Sequence, residues 1–124
     1  MNLLGSFCQV ESKDVTDQKI NMRIMINQQD RIFEGHFPGQ PVVPGVYLIQ
    51  LTKEIISDTI NKPLLLTTSK QIKFLLAIEP DNMKTLDILI NYEHIDDHFI
   101  KSTCEISHKG QKCFKFLATY KIYS

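Results

Sequence analysis

The stretch Gly35-His36-Phe37-Pro38-Gly39-Gln40-Pro41-Val42-Val43-Pro44-Gly45-Val46, with the apolar run that follows it, decides how the rest of this 124-residue chain must be arranged. Its twelve residues hold three prolines and three glycines. Each proline locks its own φ and restricts the residue before it, so the loop is conformationally fixed. Pro44 opens a helix and Pro63 stops it, which predicts one long helix from Gly45 to about Asn61. Leu48, Ile49, Thr52, Ile55, Ile56, Thr59 and Ile60 give that helix a wide apolar side. Tyr47, Gln50, Glu54 and Ser57 or Asp58 form a narrower polar stripe. Such a helix is too apolar to lie on the outside of a monomer.

On both sides of the helix the period changes to two, the mark of strands with one buried face. Ile20, Met22, Ile24 and Ile26 alternate with Lys19, Asn21, Arg23 and Met25, and Leu86, Ile88, Ile90 and Tyr92 with Asp87, Leu89, Asn91 and Glu93. Phe114, Phe116, Ala118, Tyr120 and Ile122 share one face near the C-terminus. A three-residue loop at Lys109-Gly110-Gln111 would set His108 opposite Lys112, Ile106 opposite Phe114, Cys104 opposite Phe116 and Ile100 opposite Tyr120. In that register Cys104 points into the core and Cys113 away from it. The expected order is two strands, one helix and about four strands in antiparallel succession. This is an α+β arrangement in which a long twisted sheet curls around one helix. The length fits a single domain spanning residues 1–124.

The 14 basic and 14 acidic residues balance, without a long run of either sign, so nucleic acid or an anionic membrane surface is not an expected partner. No apolar stretch has the length of a bilayer span and the first residues lack a signal-peptide pattern, so a cytoplasmic location is expected. The three cysteines, Cys8, Cys104 and Cys113, lack metal-type spacing and read as reduced, mostly buried thiols. His94, His98 and His108, with Asp96 and Asp97, read as polar hairpin tips rather than a metal site. Neither a metal nor a cofactor is expected.

Chemistry concentrates in the opening stretch. His36 is an imidazole held in a fixed loop beside a helix N-terminus, where the N–H groups of Gly45 and Val46 and the helix dipole can receive a partly negative oxygen. A thioester carbonyl turning into an enolate is such an oxygen, and His36 could remove the α-proton as general base. Phe37 reads as core or pocket wall, and Tyr47 as an acyl-pocket residue or a residue of a subunit seam.

The run from Gly35 to Val46 resembles the signature of the 3-hydroxyacyl-[acyl-carrier-protein] dehydratases of the FabZ and FabA group. Ile72-Lys73-Phe74 and the later Pro80-Asp81-Asn82 are similar to that family's strand with its Ile-Lys-Phe start and Pro-Gly-Asp end. The resemblance covers most of the chain from Phe33 onward. It implies a hot-dog fold, an obligate dimer, and a site at the dimer interface reached by a pantetheine-linked acyl chain on acyl carrier protein. It also implies that His36 takes the α-proton, that the Gly45 N–H holds the thioester carbonyl, and that a helix carboxylate fourteen positions after the histidine, from the partner subunit, works on the β-hydroxyl.

That last position is Gln50, an amide that cannot act as a general acid. Glu54 stands one turn further along the same face, about 6 Å up the axis. The family shows the acid first and a glutamine four residues on, so this chain has the reverse order. Glu54 is either the displaced carboxylate, with Gln50 orienting substrate or water, or a solvated side chain on a site that has lost or changed its chemistry. Members of the family often begin with a further N-terminal segment over the tunnel, and this sequence leads one to expect a chain without it. The expected activity is dehydration of a 3-hydroxyacyl thioester in fatty-acid or polyene-type synthesis. The alternatives are a silent subunit that binds acyl chains or acyl carrier protein, as half of a heterodimer with an active relative, and an acyl thioesterase.

Overall fold

A computed structural model of the protein describes residues 2–34 and 41–123. The elements follow in the order β1 (Cys8–Thr16), β2 (Lys19–Ile26), a 3-10 turn (Arg31–Phe33), α1 (Gly45–Ile60), β3 (Leu64–Phe74), β4 (Thr85–His94), β5 (Phe99–His108) and β6 (Gln111–Ile122). All neighbouring strands are antiparallel, in one six-stranded sheet ordered β1-β2-β4-β5-β6-β3. The strand that follows the helix therefore joins the far edge of the sheet, beside β6. Two strands, a helix and four strands is the order that the periodicity predicts.

The alternating residues face one core. Ile20, Met22, Ile24 and Ile26 of β2, Leu86, Ile88 and Ile90 of β4, and Phe114, Phe116, Ala118, Tyr120 and Ile122 of β6 are buried. The helix adds Leu48, Leu51, Thr52, Ile55 and Ile56 to the same cluster. Of the apolar side expected from the sequence, Ile49, Thr59 and Ile60 are only half-buried, whereas Leu51 is fully enclosed. Thr52 fits an apolar interior because its hydroxyl donates to the Leu48 carbonyl at 2.8 Å. That hydroxyl also lies 3.4 Å from the Cys104 thiol of β5, tying the helix to the middle of the sheet. Asn61 ends the helix in the left-handed region at φ 57°, and Lys62 N–H returns to the Ser57 carbonyl.

One hairpin differs from expectation. Ile106, Cys104 and Ile100 do pair with Phe114, Phe116 and Tyr120, but His108 pairs with Gln111 and Ser107 with Lys112. The connection is a two-residue turn in which Lys109 (φ 49°) and Gly110 (φ 81°) both take positive φ, the geometry that suits the twist of a hairpin. A bulge between Ile106 and Ser107 restores the expected register. The extra residue is Cys113, which is consequently buried instead of pointing away from the core. Its carbonyl accepts the N–H groups of Leu75 and Leu76, so the chain leaving β3 folds over it. All three cysteines are free thiols.

The β3 edge is unusual. Only Leu64 of its eleven residues is buried, and Leu65, Leu66, Ile72 and Phe74, with Leu75 and Leu76 just beyond, are exposed apolar side chains.

Candidate active site

Pro44 ends the entering loop in extended conformation and supplies no side-chain cap to α1. Tyr47 N–H turns back to the Pro44 carbonyl at 3.0 Å, while the N–H groups of Gly45 and Val46 precede the first bonds of the helix and, with the dipole, make that end a place for a partly negative oxygen. The approach to it is tied down from one side. Val43 donates to the Ile78 carbonyl at 2.9 Å, both residues being buried, and Gln28 Nε2 donates to the Pro80 carbonyl at 2.6 Å. Pro80-Asp81-Asn82 is the turn expected from the sequence, closed by Asn82 and Met83 N–H groups on the Glu79 carbonyl.

Two motifs far apart in sequence meet here. Phe74, the last residue of the Ile-Lys-Phe run, lays its ring over Gly45. A Cβ at Gly45 would lie 2.6 Å from both Cε1 and Cζ of that ring, where carbon atoms ordinarily keep 3.5–4.0 Å. A side chain at position 45 would therefore have to displace the Phe74 ring. The Phe74 ring also packs on Phe114, with centroids 5.4 Å apart.

Of the expected site residues, His36 and Phe37 lie outside the described residues, as does all of 35–40. Gly45, Val46, Tyr47, Gln50 and Glu54 lie on α1. Val46 is exposed and Tyr47 is half-buried, its ring edge-on to Phe7 at 5.1 Å. Gln50 and Glu54 are neighbours in space as well as on the helix, since Gln50 Nε2 donates to Glu54 Oε2 at 3.0 Å. The Glu54 carboxylate has further work: it accepts the Leu3 N–H at 2.7 Å on Oε1 and 3.0 Å on Oε2, and the Leu4 N–H at 3.1 Å on Oε1. Beside the pair runs an open groove of about 640 Å³ lined by Asn2, Leu4, Gln50, Lys53, Glu54 and Ser57 among others. Its polar walls suit water or a charged group better than an acyl chain.

The charge of Glu54 is felt nearby. Burial first and this carboxylate second push the Cys8 thiol up to about 12, and burial raises Cys104 to about 12 despite the Thr52 hydroxyl. Neither is a nucleophile at neutral pH. His108 is held through Nδ1, 2.9 Å from the Thr85 carbonyl, at the far end of β4.

Sequence reasoning did not find the contributions of Leu3, Leu4, Phe7 and Phe74. In the sequence Phe74 stands out only as the end of a family-like Ile-Lys-Phe run, with nothing to name its partner. Main-chain donors such as those of Leu3 and Leu4 leave no trace in residue type.

The chain has informative relatives. Residues 12–115 match the family described as ApeI-like, ApeI dehydratase. A 3-hydroxyacyl-[acyl-carrier-protein] dehydratase FabZ from Rickettsia canadensis is 28% identical over 97 residues, covering 72% of this chain and 68% of that protein. The FabZ of Syntrophobacter fumaroxidans is 26% identical over 96 residues, covering 71% of this chain and 62% of that protein. Among solved structures, the dehydratase heterocomplex ApeI:P from Xenorhabdus doucetiae superposes with a TM-score of 0.74 at 18% identity, over 92% of this chain and 97% of that one. A hypothetical thioesterase with coenzyme A from Streptococcus pneumoniae gives 0.66 at 15%, over 94% and 86%. At such identities the structures speak to the fold, and it is the hot-dog fold, a six-stranded antiparallel sheet with one helix. Since the family match spans well over half of the chain and agrees with that fold, this protein belongs to the ApeI-like dehydratase family.

Proposed function

We propose that this protein eliminates water from a 3-hydroxyacyl thioester carried on acyl carrier protein, with His36 as the general base. The observation that carries the reading is the helix N-terminus at Gly45, to which the N-cap residue Pro44 gives no side-chain cap and against which Phe74 packs, at the end of the loop that bears His36. The Gly45 and Val46 N–H groups receive the thioester carbonyl, and as it gains enolate character His36 withdraws the α-proton. The Cα–Cβ double bond forms as the Cβ–O bond breaks, and the hydroxyl leaves as water on receiving the proton that His36 has taken from the α-carbon, directly or through a water, which returns His36 to its starting state. Gln50 cannot supply that proton by ionising, but its amide can orient the hydroxyl or a water. Phe37 and Tyr47 line the acyl path.

The working unit in this reading is a dimer. The exposed apolar edge of β3 supports it, because a second subunit that adds its own β3 there covers Leu65, Leu66, Ile72 and Phe74 and continues the sheet. The dehydratase heterocomplex among the structural neighbours makes a related hot-dog subunit as reasonable a partner as a second copy. The whole chain then acts as one hot-dog domain in the cytoplasm; no described helix is long and apolar enough to cross a membrane.

One observation favours a second reading. The Glu54 carboxylate is already occupied by Leu3, Leu4 and Gln50. A helix carboxylate engaged in this way would suit an auxiliary subunit that binds acyl chains or acyl carrier protein beside an active relative. Incubation of the purified protein with a trans-2-enoyl thioester separates the readings. Formation of the 3-hydroxyacyl thioester supports the dehydratase. Turnover only after addition of a co-purifying relative supports the auxiliary subunit. Release of free thiol would point instead to a thioesterase.

A further inference from the structure

Residues 2–7 form a strap across α1. Leu3 and Phe7 are buried in the core, and the segment is folded on itself by Phe7 N–H on the Leu3 carbonyl at 2.9 Å and by Ser6 Oγ on the Asn2 carbonyl at 2.7 Å. It is fastened at two places. At one end Glu54 accepts the Leu3 and Leu4 N–H groups. At the other, Asn27 donates its N–H to the Phe7 carbonyl at 2.8 Å and its side-chain amide to the Ser6 carbonyl at 3.0 Å.

Between these fastenings the Phe7 ring lies against two rings that frame the histidine loop. Phe33, two residues before Gly35, is 6.2 Å away at 43°, and Tyr47, in the first turn of α1, is 5.1 Å away edge-on at 85°. Phe7 thus joins the residue where the loop begins to the helix on which it ends. Aromatic packing of this kind holds ring positions beyond what burial alone gives. An anchored carboxylate is also poorly placed to serve as an acid, since moving to substrate would strip acceptors from two main-chain N–H groups.

We infer that Glu54 is a positioning residue and not the proton donor: by fastening the strap it keeps Phe7 wedged between Phe33 and Tyr47, and so holds in place the two described flanks of the stretch that carries His36. The inference rests on the dehydratase reading for its catalytic consequence, while its structural part stands apart from it.

The test compares Glu54→Gln, Glu54→Ala and Phe7→Leu in the full chain, following enoyl-thioester hydration and, separately, hydrogen exchange of the peptide covering residues 31–46. Glu54→Gln keeps an acceptor oxygen for Leu3 and Leu4. It is expected to retain turnover within about threefold and to leave the alkaline limb of the pH profile in place, where loss of a catalytic acid costs roughly 100-fold or more. Glu54→Ala and Phe7→Leu should both speed exchange in 31–46 and lower kcat by about tenfold with little change in KM, as misplaced catalytic groups do. Phe7→Leu keeps an apolar side chain in the core and decides the matter should Glu54→Ala fail to fold. A loss of about 100-fold or more in Glu54→Gln at unchanged melting temperature would make Glu54 the acid and overturn the inference. So would exchange in 31–46 that stays at the wild-type rate when Phe7 is replaced. Wild-type protein without turnover defeats the dehydratase reading alone, and the exchange arm still decides whether the strap braces the loop.

Discussion

Gly45→Ala puts the contact between the two motifs to a quantitative test. The added Cβ would start 2.6 Å from Cε1 and Cζ of Phe74, about 1 Å short of ordinary carbon contact. In a closed core, overpacking by one carbon costs roughly 1–3 kcal/mol. Phe74 is 59% exposed and meets Gly45 with the far end of its ring, so the ring can swing outward at the lower end of that range, about 1 kcal/mol. Alanine returns up to roughly 0.8–1 kcal/mol over glycine in a helix, less in its first turn. Stability should therefore fall by no more than about 1 kcal/mol, a melting shift of roughly 5 °C or less for a chain of this size. Activity should suffer more, because the ring that walls the helix N-terminus has moved by about 1 Å and a carbon stands beside the N–H that holds the carbonyl. A loss on the order of 10–100-fold in hydration of a trans-2-enoyl thioester is expected. The double variant Gly45→Ala with Phe74→Ala frees the space and should restore melting to that of Phe74→Ala alone. A drop well beyond about 6 °C in the single variant, corresponding to more than roughly 1 kcal/mol, would show that the ring cannot yield. Equal melting penalties for Gly45→Ala with and without Phe74 would show that the ring is not what the Cβ meets.

The core and its thiols make further tests. The Tyr120 hydroxyl is enclosed and makes no hydrogen bond of ordinary geometry among the described residues; Ser102 lies close enough to interact with it weakly but directs its own hydroxyl to the Ala118 carbonyl at 3.5 Å. Tyr120→Phe should stabilise the protein by about 1 kcal/mol, raising the melting temperature by roughly 3–5 °C, and clear destabilisation in calorimetry would mean that the hydroxyl has a partner. Cys104 holds its proton up to about 12 when folded, above the ordinary value near 9. Unfolded chains thus bind fewer protons between these values, so stability present below pH 9 declines as pH rises toward 12, by up to about 1.4 kcal/mol per pH unit from this thiol. Denaturant titrations between pH 9 and 11 should show a shallower decline for Cys104→Ala than for wild type, and parallel declines would refute the assignment.

How far the sequence could be read follows from what each feature depends on. Burial on one face has a period, so Ile20 to Ile26 and Phe114 to Ile122 announced their strands, and Pro44 and Pro63 bounded the helix to within a residue. Cys113 could not be read correctly, because a bulge shifts it out of the alternation and leaves no mark in residue type. The strap escaped for a related reason: Leu3 and Leu4 act through main-chain N–H groups fifty residues away from Glu54 in sequence. Glu54 itself was visible as an anomaly of spacing after His36, yet only its partners in space distinguish a displaced acid from an anchor. Phe74 and Gly45 each belong to a motif legible in the sequence, while their contact depends on the tertiary fold.

The most direct test of the dehydratase reading is the steady-state interconversion of a 3-hydroxyacyl and a trans-2-enoyl thioester on acyl carrier protein by the wild type and by His36→Ala, measured side by side at equal protein concentration. Measurable turnover in the wild type that falls by roughly 100-fold or more in His36→Ala is the expected result. A wild type that does not turn over, alone or with a co-purifying relative, or a His36→Ala variant as fast as the wild type, would contradict it.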